Sequence, residues 1–256
     1  MKDLKNKAIL FDFDGTISTL RSGWETIMKN YMYEMITGSD KVSDILLVEE
    51  IDKFIINSAG IPTISQMQWL QDKVKSFDLV KPLDIWEYKK GYNDRLMESV
   101  NKKLEKIKNH ELSPNHFRIL GSKEFLEKLH KLGYELFLAS GTDHEDVIYE
   151  SKILEVFPYF KKIRGASKDK ISPKELMINH ILENGYSEKN IVVIGDGKSE
   201  IEIGNRVNAI TIGVASGAPN PNEINLEKQR KLLEVGADYI IPNFKNIPKI
   251  LNIITL

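Results

Sequence analysis

Ala8-Ile9-Leu10-Phe11-Asp12-Phe13-Asp14-Gly15-Thr16 is the stretch on which the fold turns. A short apolar run broken abruptly by two aspartates and a glycine reads as a buried strand, expected over residues 8–13, that ends at a chemical site. In an open parallel sheet, ligands bind beyond the carboxyl ends of the strands, so Asp12 and Asp14 arrive where chemistry is expected. Two carboxylates at i and i+2 suit metal binding, or a nucleophile beside a general acid, or both. Asp-Gly is also common turn punctuation, so the stretch needs partners elsewhere in the chain.

Four further apolar runs, 135–139, 191–194, 209–214 and 239–241, have the same look: short, rich in Ile, Val, Leu and Phe, and bounded by Gly, Asp or Asn. Helical patterns separate the later ones. Residues 123–132 stop at Gly133, 172–184 open with Ser172-Pro173 and stop at Gly185, and 223–234 stop before Gly236. Strands alternating with helices predict an α/β fold, a doubly wound parallel sheet. Residues 18–116 break that rhythm. Trp24, Ile27, Met28, Tyr31 and Met35 recur at helical spacing before Gly38, and further helical patterns cover about 42–59, 63–76 and 84–108. The expected organisation is an α/β core of residues 1–17 and 117–256, with an all-helical lobe, 18–116, inserted between the first two strands.

Partners for Asp12 and Asp14 occur at other strand ends. The run 191–194 leads into Gly195-Asp196-Gly197, with Glu200 one helical turn on. If the strands are neighbours, Asp12 and Asp196 bring two anionic oxygen ligands together, a hard-donor site suited to Mg²⁺. An acid in a first helical turn is favoured by the helix dipole anyway, which fits Glu200 better than Asp196. The run 135–139 ends in Ser140-Gly141-Thr142, where a hydroxyl, a glycine N–H and a helix start form a phosphate cradle or simply a turn and cap. Lys174 stands in the first turn of the helix opened by Ser172-Pro173, where the dipole disfavours a cation, which hints at an anion to neutralise.

Taken in order, these elements resemble the four motifs of the haloacid dehalogenase-like (HAD) phosphatases: DxDGT after the first strand, Ser after the second, Lys at a helix start, and GD followed by a second acid. The resemblance spans the α/β core almost end to end, and the helical insertion resembles the cap such enzymes carry after the first motif. It departs in two places. Glu200 replaces the usual last Asp, and the common Lys with Pro at +1 and +3 is matched at Lys170 only by Pro173, leaving Lys168, Lys170 and Lys174 in competition. Helix geometry favours Lys174.

The resemblance implies that Asp12 is the nucleophile and that Asp14 protonates the leaving oxygen and then activates water. It implies Mg²⁺ held by the carboxylates of Asp12 and Asp196 and the main-chain carbonyl of Asp14, with Glu200 behind these ligands. Ser140, Gly141 N–H and Lys174 would bind the phosphoryl oxygens. The expected substrate is a small phosphorylated metabolite, with sugar or polyol phosphates the leading class. A phosphomutase, a phosphonate hydrolase and a non-catalytic binding module are the competing readings, and the intact Asp12, Asp14, Ser140 and Asp196 speak against the last.

Composition narrows the field. The chain has 256 residues, 41% of them hydrophobic and 29% charged, the balance of an ordinary globular protein. Lys plus Arg, 36, nearly cancel Asp plus Glu, 37, so no global field draws the chain to nucleic acid or to a membrane. The absence of Cys removes disulfides and thiolate metal sites and fits a cytoplasmic setting. Met1–Lys7 lead directly into the first strand, which argues against a signal peptide. Gly197-Lys198-Ser199 imitates the end of a P-loop, but Val192 stands where its first Gly is required. Gly195-x-Gly197 lacks the third Gly of a dinucleotide fingerprint. Arg21 is expected either to meet an anionic part of the substrate or to be solvated, and His144 to lie on a surface helix.

Overall fold

The computed structural model describes residues 7–41, 43–167 and 171–255. Strand β1 (Ala8–Phe11) lies at the centre of a parallel sheet, with β2 (Glu135–Asp143) on one side and β4 (Ile191–Gly195) on the other. Adding β3 (Lys162–Ala166), β5 (Ile210–Val214) and β6 (Tyr239–Ile241) gives the order β3-β2-β1-β4-β5-β6, with every pairing parallel. The chain winds outward from β1 through β2 and β3, then crosses to β4 and winds the other way. Between β1 and β4 the connections diverge, and a crevice opens at the carboxyl ends of those two strands.

Alternation of side chains explains why both faces are covered. Ile9 and Phe11 of β1, with Leu136, Leu138, Val192 and Ile194, enter one buried cluster with Phe125, Leu129 and Ile250. These last come from helices α5 (Ser122–Leu132) and α10 (Ile247–Ile254). Ala8 and Leu10, with Phe137, Ile191 and Val193, point the other way onto Met177, Ile178 and Ile203. Those belong to α7 (Pro173–Glu183) and α8 (Lys198–Arg206). The doubly wound sheet expected from the sequence is present.

Its details differ at several ends. The strand β3 carries Lys162 and Arg164 and is only partly buried at the sheet edge, so it lacks the apolar signature used to find the others. Strand β2 runs on to Asp143, because a register shift after Ala139 lets Asp143 pair with Ala166. Strand β1 stops at Phe11, two residues short of the expected end, as the chain turns into the aspartates. Helix α9 (Leu226–Glu234) starts three residues late, where the Asn225 side chain accepts from Lys228 N–H at 3.0 Å.

Between β1 and β2 stand α1 (Trp24–Thr37), α2 (Ile45–Asn57), α3 (Thr63–Phe77) and α4 (Ile85–Lys108). Their starts and stops follow side-chain chemistry. Gly38 closes α1 at φ 70°, Asp44 caps α2 through Leu47 N–H, and Asp84 and Glu87 form a reciprocal capping box on α4. The chain enters and leaves this lobe side by side: Ile119 N–H donates to Ile17 O at 2.9 Å, and Thr19 N–H to Phe117 O at 2.8 Å. The buried cluster continues through Phe13, Ile17 and Leu20 to Met28 and Met32 of α1. Remaining helix α6 (His144–Ile153) follows β2 directly.

The sheet face under α5 is anchored by aromatic packing. Phe125, fully buried, stacks on Phe244 at 5.2 Å and meets Phe11 edge-on at 6.2 Å. Phe125→Ala is therefore expected to cost about 3–5 kcal/mol of folding stability. Urea unfolding of the two proteins checks this.

Candidate active site

Asp12 and Asp196 leave adjacent strands at the switch point. Asp12 N–H donates to Ile194 O at 2.9 Å, so the ladder between β1 and β4 fixes Asp12 one step beyond the last paired residues. The Thr16 hydroxyl lies 3.3 Å from Asp12 Oδ2 and 3.5 Å from Asp196 Oδ1, touching both carboxylates. Gly15 makes this approach possible. Its φ is 79°, and a Cβ there would fall on the Asp196 carboxylate.

Lys174 joins the cluster from the other direction. Its Nζ lies 3.0 Å from Asp12 Oδ1, forms a close ion pair with Glu200 Oε1, and donates to Ser199 Oγ and Gly60 O, each at 3.2 Å. At 2% exposure this ammonium has no water to fall back on. Pro173 starts α7, and Ser172 stands at the N-cap position without making the side-chain cap bond its identity suggests. Lys168 and Lys170 lie outside the described residues. Glu200 accepts from Gly197 N–H at 3.1 Å and from Ser199 Oγ at 2.9 Å, so it both caps α8 and braces Lys174.

Asp14 points toward β2. Its Oδ2 accepts from Thr142 Oγ1 at 2.8 Å and from Ser140 Oγ at 3.1 Å, while Oδ1 is buried with no hydrogen-bond partner among the described residues. Burial raises the Asp14 carboxyl above its ordinary range, against the pull of the Arg21 guanidinium. Burial likewise raises Asp12, opposed by Lys174 and reinforced by Asp196. Gly141 lies under the lobe: a Cβ on it would stand 2.8 Å from Ile61 O.

Arg21 is neither solvated nor unpaired. It is buried, with Nη2 2.6 Å from Glu150 Oε1 and 2.9 Å from Asp146 Oδ2, so α6 takes up its charge. His144 begins α6, and its Nδ1 accepts from Gly165 N–H at 3.1 Å. Thr16, Thr142, Ser199, Gly60 and Lys228 carried no expected site role, though Thr16 and Thr142 stand in the motifs read from the sequence. Lys228 is a cation in the first turn of α9, a signal hidden by the expected helix start at 223. Its Nζ lies 2.6 Å from Asp196 Oδ2.

These groups open onto a cavity of about 620 Å³. The core supplies Asp12, Asp14, Ser140 and Asp196 to its wall, and the lobe supplies Ile55, Gly60 and Tyr92. An oxygen-only donor set, with an Asp14 Oδ1 that is buried and unpartnered among the described residues, suits a hard divalent cation. Among the described residues no three His, Cys, Asp or Glu side chains form a metal cage by themselves. Mg²⁺, which keeps several waters and accepts main-chain oxygen, does not require one.

The sequence profile of the haloacid dehalogenase-like hydrolases matches residues 9–214. The chain belongs to that family. Enzymes of this superfamily generally use Mg²⁺. Comparison with curated proteins finds no match. Among solved structures, a haloacid dehalogenase-like family hydrolase from Streptococcus pneumoniae is 18% identical, with TM-score 0.62 over 97% of this chain and 98% of its own. A protein described as a predicted phosphoglycolate phosphatase from Haemophilus somnus is 18% identical, with TM-score 0.65 over 96% and 98%. A candidate β-phosphoglucomutase from Bacteroides vulgatus is 16% identical, with TM-score 0.65 over 99% and 90%. At these identities the likeness is one of fold. No helix among the described residues is long and apolar enough to cross a membrane.

Gly60 is the point where the lobe meets this family's chemistry. Its φ is 85°, and a Cβ would run into Ser199 Oγ and stand 2.9 Å from Lys174 Nζ. Gly60→Ala should lower hydrolytic turnover by roughly tenfold or more, by shifting the loop or the ammonium. The melting temperature should move by only a few degrees, for a backbone cost of about 1 kcal/mol. Parallel turnover and thermal-melt measurements separate the two effects.

Proposed function

We propose that this protein is a Mg²⁺-dependent phosphatase that hydrolyses a small phosphorylated metabolite through an aspartyl-phosphate on Asp12. The observation that carries the reading is the contact of Lys174 Nζ with Asp12 Oδ1, 3.0 Å, at a strand end that also gathers Asp196. A nucleophilic carboxylate must meet a phosphoryl group that is itself anionic. Charge neutralisation and positioning are then most of what the protein must supply.

Each residue takes a part of that work. Asp12 attacks phosphorus. Lys174, held by Glu200 and Ser199, offsets charge on the nucleophile and on the phosphoryl oxygens. Asp14 gives its proton to the leaving oxygen and then takes one from the attacking water, and its raised proton affinity suits the first task. The Ser140 hydroxyl and Gly141 N–H would bind phosphoryl oxygens near the end of β2. Asp12, Asp196 and the carbonyl of Asp14 would hold Mg²⁺, which supplies further positive charge to the transferring group. Glu200 works through Lys174.

Residues 18–116 act as a cap in this reading, and the substrate is enclosed between cap and core, away from bulk water. The cavity of about 620 Å³ suits a metabolite rather than a folded phosphoprotein. Its wall mixes the hydrogen-bonding Asn57, Thr63 and Gln66 with the aromatic Trp24 and Tyr92, which favours a sugar or polyol phosphate.

Turnover of an aryl phosphate and of a sugar-phosphate panel, followed by release of inorganic phosphate, tests the reading. Chelator should abolish turnover and Mg²⁺ restore it; full activity without metal would overturn the assignment. Asp12→Asn should be inactive and form no phosphoenzyme. Asp14→Asn should slow both half-reactions, most visibly with poor leaving groups. Formation of an isomeric phosphate instead of inorganic phosphate would identify a mutase.

Lys174→Ala should cost about 3 kcal/mol or more of transition-state stabilisation, roughly a hundredfold in turnover, as loss of a buried electrostatic clamp does. Steady-state kinetics on the aryl phosphate measure this directly. Retention of near-normal turnover by Lys174→Ala would move the role to another lysine.

A further inference from the structure

Lys228 reaches the carboxylate cluster from α9, and the role just given to Asp196 leaves this lysine unexplained. Its Nζ lies 2.6 Å from Asp196 Oδ2, a charge-assisted contact on one oxygen. The placement is held from both sides. Asn225 accepts from Lys228 N–H at 3.0 Å through its side chain, and its own N–H donates to Ala215 O at 2.9 Å, just past β5. The helix start is thereby fixed beside the end of β5. The Asp196 carboxylate sits close over Gly15, where a Cβ would overlap its Oδ2. The neighbouring cation Lys231 is occupied by Glu227 at 2.6 Å and does not share the task.

The two lysines of the cluster differ in one respect. Lys174 is 2% exposed and has no route to solvent, whereas Lys228 is 29% exposed and can carry its ammonium into water. An ammonium and a divalent cation cannot use the same carboxylate lone pair, and each repels the other nearby. The inference rests on Asp196 as a metal ligand. We propose that Lys228 is a built-in competitor for the divalent cation at Asp196, exchangeable where Lys174 is permanent, and that it sets how tightly the protein takes up metal.

Calorimetric titration of the full chain with Mg²⁺ tests this without reference to turnover. Lys228→Met should bind Mg²⁺ about fivefold more tightly than the unaltered chain, the scale of one partly exposed ion pair removed. The rise in melting temperature on adding Mg²⁺ should be larger in the variant. Lys228→Gln, of similar length but polar, should behave the same way and stands in if the Met variant folds poorly by circular dichroism. Unchanged or weaker affinity in the folded variants overturns the inference. Asp196→Asn tells its failure from that of the metal assignment. If the Asn variant loses Mg²⁺ binding while the Lys228 variants match the unaltered chain, only the competitor role falls. If the Asn variant binds Mg²⁺ normally, the ligand assignment and the competitor role fall together.

Discussion

The ion pair between Lys174 and Asp12 is the constraint around which the site is built. Four carboxylates, from Asp12, Asp14, Asp196 and Glu200, converge at the carboxyl ends of β1 and β4, and Asp12 and Glu200 are almost wholly buried. Anions in such surroundings repel one another and lose hydration, so each needs a donor or a cation of its own. Lys174 serves Asp12 and Glu200 together, Thr16 touches Asp12 and Asp196, and Ser140 and Thr142 serve Asp14. Removing the lysine would leave two buried charges uncompensated, which is why its surroundings are so fully specified. Ser199, Gly60 O and the Glu200 carboxylate fix where the ammonium points before any substrate arrives.

The fold supplies this convergence through topology rather than through local sequence. Asp12 and Asp196 are 184 positions apart, counting from 12 to 196, yet the β1–β4 pairing sets Phe11 opposite Ile194 and so aligns the residues that follow. The same pairing logic brings Ser140 and Thr142 in from β2 on the other side of β1. The central strand is therefore both fully buried and the one that positions chemistry. A register slip of one residue would turn Ile9 and Phe11 out of their cluster and carry Asp12 away from Lys174 at once.

Much of this could be read from the chain because punctuation and chemistry coincide. Asp12 and Asp196 each end an apolar run at a Gly-rich turn, and Lys174 follows Ser172-Pro173, so their positions on elements were visible. The doubly wound sheet and the inserted helices were visible for the same reason. What escaped depended on tertiary contact. Strand β3 is an edge strand with charged residues, so nothing in its pattern distinguishes it from a loop. Gly60 lies in a connection between α2 and α3 whose descent onto Lys174 no local signal announces. Thr142 is two residues beyond Ser140, but only the continuation of β2 past its register shift turns it to Asp14. Arg21 was legible as a cation and not as a buried one, because Glu150 and Asp146 come from a helix more than a hundred residues later.

Among the described residues, polar links from the lobe reach Lys174 itself and Asp143, the neighbour of a hydroxyl that holds Asp14. Lys174 donates to Gly60 O from the connection between α2 and α3. Lys89 and Asn93 of α4 hold the Asp143 carboxylate at 2.5 and 3.2 Å, and Asp143 directly follows Thr142, whose hydroxyl donates to Asp14. One tether thus reaches the cation beside Asp12, and the other reaches Asp14 through Asp143 and Thr142. Withdrawing the lobe would remove an acceptor from Lys174 and loosen the segment that orients Asp14. If the lobe is the cap of the proposed reading, such links would couple its arrangement to the alignment of Asp12 and Asp14. The polar links carry that coupling, since an apolar interface alone would fix the lobe's distance from the core without specifying where the ammonium and the carboxyl point.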